Sequence, residues 1–190
     1  MSSSSVQSRE IILVLCHSFF HDAFRPQRPV DATKFRIWLF SRFVANLIIE
    51  RQAELPEGFT FAVTSKQVFD SFSRKFLGEE PSAKQKETVD ILHNSIGVLD
   101  GPAISNLSDD DSILVICDTL FSRSSYEPIL VSNIPKKVEK ATEFYHNKDP
   151  EAKIPYSIYT VVQVEPFLRG RFPGLCTLVD ERLKDSVIQV

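Results

Sequence analysis

Asp109, Asp110 and Asp111 are three consecutive carboxylates directly ahead of the apolar block Ile113 to Cys117. Hard oxygen ligands of this kind suit Mg²⁺ or Mn²⁺. The same side chains at a helix start would cap it and complement its positive end. Downstream, the apolar run Ile129 to Val131 ends in Ser132 and Asn133. In α/β proteins ligands bind beyond the carboxyl ends of parallel strands, so a strand stopping in Ser-Asn beside an acid-headed helix is where chemistry belongs. Asp70 is a further carboxylate, either a metal ligand facing Asp110 across a cleft or a solvated helix residue. Cys16, His17, His21 and Asp22 form a second constellation, in which His17 and His21 have the i, i+4 spacing that sets two imidazoles on one helix face for a transition metal. No third ligand accompanies them, and nothing marks Cys16 as an activated thiol, so two satisfied histidines near a loop are the simpler reading. Lys136, Lys137 and Lys140, with Arg169 and Arg171, fall near strand ends. They either contact RNA phosphates or form the wet face of a helix and a basic loop.

The elements that must position these residues follow from hydrophobic pattern and breakers. Ile11 to Cys16 is a continuous, β-branched-rich run, which predicts a strand covered on both faces in a parallel sheet. Residues 17–31, with Pro26 and Pro29, read as a loop. Asp31 caps a long helix to about Leu55, and Phe59 to Val63 is a short strand. Ser65 caps a helix through Leu77 in which Val68, Phe69, Phe72 and Phe76 face the core and Asp70 lies off that stripe. Ser82 to Ile96 is a helix with Val89, Leu92 and Ile96 turned inward, and Gly97 to Ser108 a loop. Residues 112–117 allow two readings: a helix capped by Asp109 or Asp110 and running to about Arg123, or a buried strand. The helix is preferred because too few residues would separate two parallel strands. Pro128 to Ser132 is a strand. Pro135 opens a helix to His146, with Val138, Ala141 and Tyr145 on one face and the lysines on the other. Tyr156 to Val164 is the last strand, followed by a helical turn, the basic loop 169–171, and a tail from Cys176 whose structure stays open.

At 190 residues, 43% hydrophobic and 25% charged, the chain reads as a Ser-rich disordered tail, 1–9, and one α/β domain, 10–190. That domain is expected to have three layers, a mainly parallel sheet of four to five strands with helices on both faces. The longest apolar run is far short of the ~20 residues of a membrane span, and the N-terminus lacks a signal-peptide pattern, which predicts an intracellular protein of cytoplasm or nucleus. A net charge of −3 argues against an overall basic nucleic-acid surface. Three scattered cysteines suggest buried thiols rather than disulfides or a zinc cluster. The six glycines make neither a dinucleotide fingerprint nor a phosphate loop, and no G-x-S-x-G elbow is present.

This order of elements resembles the PIN domain, the fold of a large class of metal-dependent ribonucleases. The local match lies where that family has a helix D-x-x-I-x-x-x-A followed by a strand ending in T-N-D. Asp110, Ile113 and Cys117 fall at those spacings, and Ser132 and Asn133 stand for Thr and Asn. The helix 65–77 resembles the family helix with a second carboxylate, for which Asp70 is the candidate, or Ser71 in an alternative register. The resemblance implies Mg²⁺ or Mn²⁺ held by Asp70, Asp109, Asp110 and Asp111, with Asp70 and Asp110 as catalytic residues. It also implies RNA positioned by Ser132, Asn133, Lys136, Lys137, Arg169 and Arg171. Two departures stand against activity: the first strand ends in Cys16 and His17 instead of an Asp, and Ile134 replaces the final Asp. They remove two of about four carboxylates that two-metal chemistry uses. A non-catalytic module that holds RNA without cutting it, or binds a protein partner or a second copy with Phe19, Phe20 and Phe24 as an aromatic patch, is the competing expectation.

Overall fold

The computed structural model describes residues 9–123, 125–134 and 136–187. Residues 1–8 of the expected tail and Pro135, the expected helix opener, lie outside the described residues. The core is a five-stranded, all-parallel sheet in the order β3-β2-β1-β4-β5, built from β1 (Glu10–Leu15), β2 (Ala62–Ser65), β3 (Gly97–Leu99), β4 (Tyr126–Val131) and β5 (Ser157–Tyr159). β1 sits at its centre because Ile12 to Leu15 can be covered from both sides, and each of these side chains is at most 3% exposed. It pairs with β4 from Glu10↔Tyr126 to Leu15↔Val131 and with β2 at Leu13↔Ala62.

Among the described residues there are eight helices: α1 (His17–Ala23), α2 (Ala32–Glu54), α3 (Lys66–Leu77), α4 (Ala83–Ser95), α5 (Asp109–Ser122), α6 (Lys137–His146), α7 (Val161–Arg171) and α8 (Pro173–Val187). The chain steps from β1 to β2 to β3 in one direction, then returns past β1 to β4 and β5. Right-handed crossovers therefore put α1 to α4 on one face and α5 and α6 on the other. α5 packs on β1, β2 and β4, while α2 packs with α1, α4, α7 and α8. The expected three-layer α/β fold is the observed one.

Several local expectations are corrected. Residues 17–23 are helical, not loop: Phe19, Phe20 and Ala23 bury one face, and the prolines lie beyond its end. The expected loop 97–108 begins with edge strand β3. There a Cβ on Gly97 would stand 3.1 Å from both Thr60 Cγ2 and Val63 Cγ1, so the close approach to β2 favours glycine. Residues 112–117 are helical, and the cap is Ser108, whose hydroxyl accepts from the Asp111 amide, with the three aspartates forming the first turn. The expected strand 156–164 stops at Tyr159, because Thr160 and Gln163 form a capping box that starts α7. Arg169 and Arg171 belong to the last turn of α7 and not to a loop. The tail from Cys176 is helix α8. On α6 the buried stripe is Lys137, Ala141 and Tyr145. Val138 is instead 48% exposed.

Candidate functional site

The chain reverses direction across the sheet between β1 and β4, so the crevice beyond their carboxyl ends is the topological switch point. Cys16, His17, Ser132 and Asn133 leave the strands here, and α5 points its amino end at the same place. A cavity of about 640 Å³ opens beside it, lined by His17, Asp109, Asp110, Asp111, Lys140 and Glu143, among others.

The centre of this site is an ion triad. Asp110 accepts from the ammonium groups of both Lys137 and Lys140 on α6. The Lys137 side chain is 3% exposed, that of Lys140 56% and that of Asp110 37%. Burial pushes the Asp110 carboxyl up, but hydrogen bonds from Lys137 and Lys140 outweigh it and hold the group below the ordinary carboxylate value. Lys140 is raised by the same pairing. The Cys16 thiol is fully buried in this corner: burial pushes its pKa up to about 11, and the Lys137 charge and the Ser132 hydroxyl offset only part of that. The thiol is therefore neutral at physiological pH and unsuited to nucleophilic attack. Desolvation, and next the Lys75 charge, hold the His17 imidazole below its usual value, so it too is neutral near pH 7.

Behind the triad the strand ends are tied by short polar side chains. The Asn133 side chain donates to Asp22 at 2.8 Å and to Ser41 at 3.2 Å, and its carbonyl accepts from the Val161 amide at 3.2 Å. Its backbone amide donates to the Ser18 hydroxyl at 3.1 Å. Ser132 lies 3.4 Å from Ser18 and accepts from the Ile134 amide. On the other side of β1, Thr64 donates to the Leu15 carbonyl at 2.8 Å, and the Ser65 and Ser112 hydroxyls are 2.8 Å apart.

The structure gathers Asp109, Asp110, Asp111, Ser132, Asn133, Lys137 and Lys140 at one end of the sheet. Asp111 is engaged with Ser108 at 2.8 Å. Asp70 is held by Lys66 at 2.7 Å on the exposed side of α3, and it does not line the acidic cavity. Lys136 is exposed just before α6. Arg169 is taken up by Glu165 and by a two-pronged pair with Asp180 on α8. Arg171 lines a cavity with Glu10 and Tyr126, the first residues of β1 and β4, and thus lies at the opposite end of the strands from the lysines. The two expected basic groups are not brought together. His17 and His21 share a helix, but His21 turns to Asp22. Among the described residues no three His, Cys, Asp or Glu side chains converge as a metal-holding group.

Sequence reasoning missed Lys137 as a buried counter-ion and Ser18, Asp22 and Ser41 as partners of Asn133. Lys137 carried a readable signal, since it precedes Ala141 and Tyr145 at successive i, i+4 steps and so extends their buried stripe. These Asn133 partners come from α1 and α2, about a hundred residues away in sequence, and carried none. Comparison with protein-family models, curated proteins and solved structures finds no match for this chain. No helix among the described residues is long and apolar enough to cross a membrane.

Proposed function

We propose that this chain is a PIN-like domain whose acidic centre has been taken over by lysine, leaving a non-catalytic binding module. The observation that carries the reading is Lys137, a buried ammonium seated on Asp110 at the switch point. The buried cation holds the position where the resemblance would place Mg²⁺ or Mn²⁺. The parallel sheet, the acid-headed α5 and Ser132-Asn133 at the end of β4 all fall in the order the resemblance implies, which supports the PIN-like part of the proposal.

The residues present do not fit a divalent metal. A cation site needs convergent hard oxygens, and here one carboxylate is shared by two ammonium groups, a second accepts from the Ser108 hydroxyl at the helix cap, and a third sits on α3 with its own lysine. Cys16 and Ile134 stand where the resemblance expects carboxylates. For Mn²⁺ to displace Lys137 from Asp110, a side chain 3% exposed would have to leave its burial site or stay there unpaired, both unfavourable by several kcal/mol. Asn133, expected to position phosphate or water, has its amide fully used within the protein.

The test is incubation of the protein with single-stranded RNA and Mn²⁺, beside an Asp110→Asn variant. Equal backgrounds for both are expected. Mn²⁺-dependent cleavage by the wild type that disappears in Asp110→Asn would overturn the binding-module reading and restore the nuclease.

A further inference from the structure

On the sheet face away from α5 and α6, a groove runs between α1, α2, α3 and α4, and it meets the triad cavity at His17, which lines both. It consists of two adjoining cavities of about 200 and 410 Å³ that share Phe24, Arg25, Pro26 and Phe76. Its composition is unusual for this chain. The protein has 25 Asp and Glu against 22 Lys and Arg, yet the groove wall carries Arg25, Arg42, Lys75 and Lys84 and no carboxylate. Some cations elsewhere are paired, Lys66, Lys137, Lys140, Lys148, Arg169 and Arg182 each holding an Asp or Glu, while others, Lys34 and Arg74 among them, form no salt bridge with a described residue. None of the four groove cations has a salt-bridge partner among the described residues. Arg42 is desolvated by burial, which lowers its pKa, and among the described residues the Trp38 ring, 4.8 Å from its guanidinium carbon, faces it.

We propose that this groove binds an acidic amphipathic peptide segment of a partner protein, two apolar side chains filling the cavities and carboxylates meeting the four cations. Two adjoining apolar cavities are the arrangement that reads anchors spaced along one face of a helix. The apolar surface is aliphatic as well as aromatic: Ile91 is 41% exposed at the groove edge, with Ile49 and Leu92 beside it. The aromatic rings stack on each other, Phe20 on Phe72 at 4.9 Å and Phe72 on Phe76 at 5.5 Å. Their faces are thus occupied within the protein, which disfavours the base stacking that a single-stranded RNA site requires. This inference deepens the binding-module reading, and its test reads peptides and not RNA cleavage, so the two can fail separately.

A displayed library of random peptides of about twelve residues, enough to span the groove as a helix, is selected on the full chain. The same library is then selected on Lys84→Glu and, separately, on Ile91→Asp; both are exposed positions, and circular dichroism verifies their folding. The expected result is enrichment of sequences with several Asp or Glu and two apolar residues at helical spacing. Their affinity should fall by about tenfold or more on each variant, as loss of a desolvated charge contact or an anchor requires. No enrichment, enrichment of neutral or basic sequences, or equal binding to the variants overturns the proposal. Two further outcomes also overturn it in favour of another occupant. One is single-stranded oligouridine binding by the wild type that both variants lose. The other is a dimer in light scattering that both variants dissociate.

Discussion

Lys137 shows how one buried cation reassigns a site. A buried charge is tolerated when it is paired, and removing its partner leaves an uncompensated ion. Asp110→Asn should therefore lower stability by about 2 kcal/mol in urea unfolding, below the ~3 to 5 kcal/mol of a fully buried broken pair because Asp110 itself is part-exposed. Lys140→Gln, at the solvated end of the same carboxylate, should leave the urea midpoint close to that of the wild type. The pH dependence follows in sign. The folded-state pKa of Asp110 lies below its ordinary value, so the pairing stabilises fully above about pH 4 and is lost as pH falls through the folded value. Wild type and Asp110→Asn should converge in stability as the solution is acidified below about pH 4. A constant gap between them down to the acid limit would show that Asp110 does not titrate against Lys137.

At the scale of elements, Asn133 joins the end of β4 to α1, α2 and α7 through one side chain. Asn133→Ala would strand the Val161 amide and the Ser41 hydroxyl away from water, at about 1 to 3 kcal/mol for each unsatisfied group. A loss of about 3 kcal/mol in chemical denaturation is expected, against about 1 kcal/mol for Ser18→Ala, which removes the acceptor of the Asn133 backbone amide and a long contact with Ser132. Equal losses for the two would mean that Asn133 is not the hub. The contrast also explains what was legible beforehand. Helices α2, α3 and α4 were readable because Asp31, Ser65 and Ser82 cap them locally, and β1 because its apolar run has no polar break. The boundary at Thr160 was not, since Tyr156 to Val164 is uniformly β-favouring and only the side-chain reach of Gln163 ends the strand. Likewise Arg169 looked like a free loop cation until α8 brought Asp180 to it, and a pairing across two helices leaves no mark in local pattern.

Across the whole molecule the three thiols report how the layers come apart. Cys16, Cys117 and Cys176 are all free and at most 3% exposed, and burial raises the pKa of each. None should react with an alkylating reagent until its surroundings open. The openings differ in extent. Cys117 lies on α5 against the central strands, and Cys16 ends β1, so both need disruption of the sheet. Cys176 lies on α8, whose contacts are with α2 and α7 at the periphery, and undocking that helix leaves the sheet intact. Native-state iodoacetamide labelling read by mass spectrometry should therefore modify Cys176 first. Cys16 and Cys117 should follow together at a rate set by global stability. Asp110→Asn should speed the second pair by the same factor by which it raises the unfolded population, with little effect on Cys176. Labelling of Cys117 as fast as Cys176 in the wild type would mean that α5 opens independently of the sheet and carries Asp110 away from Lys137.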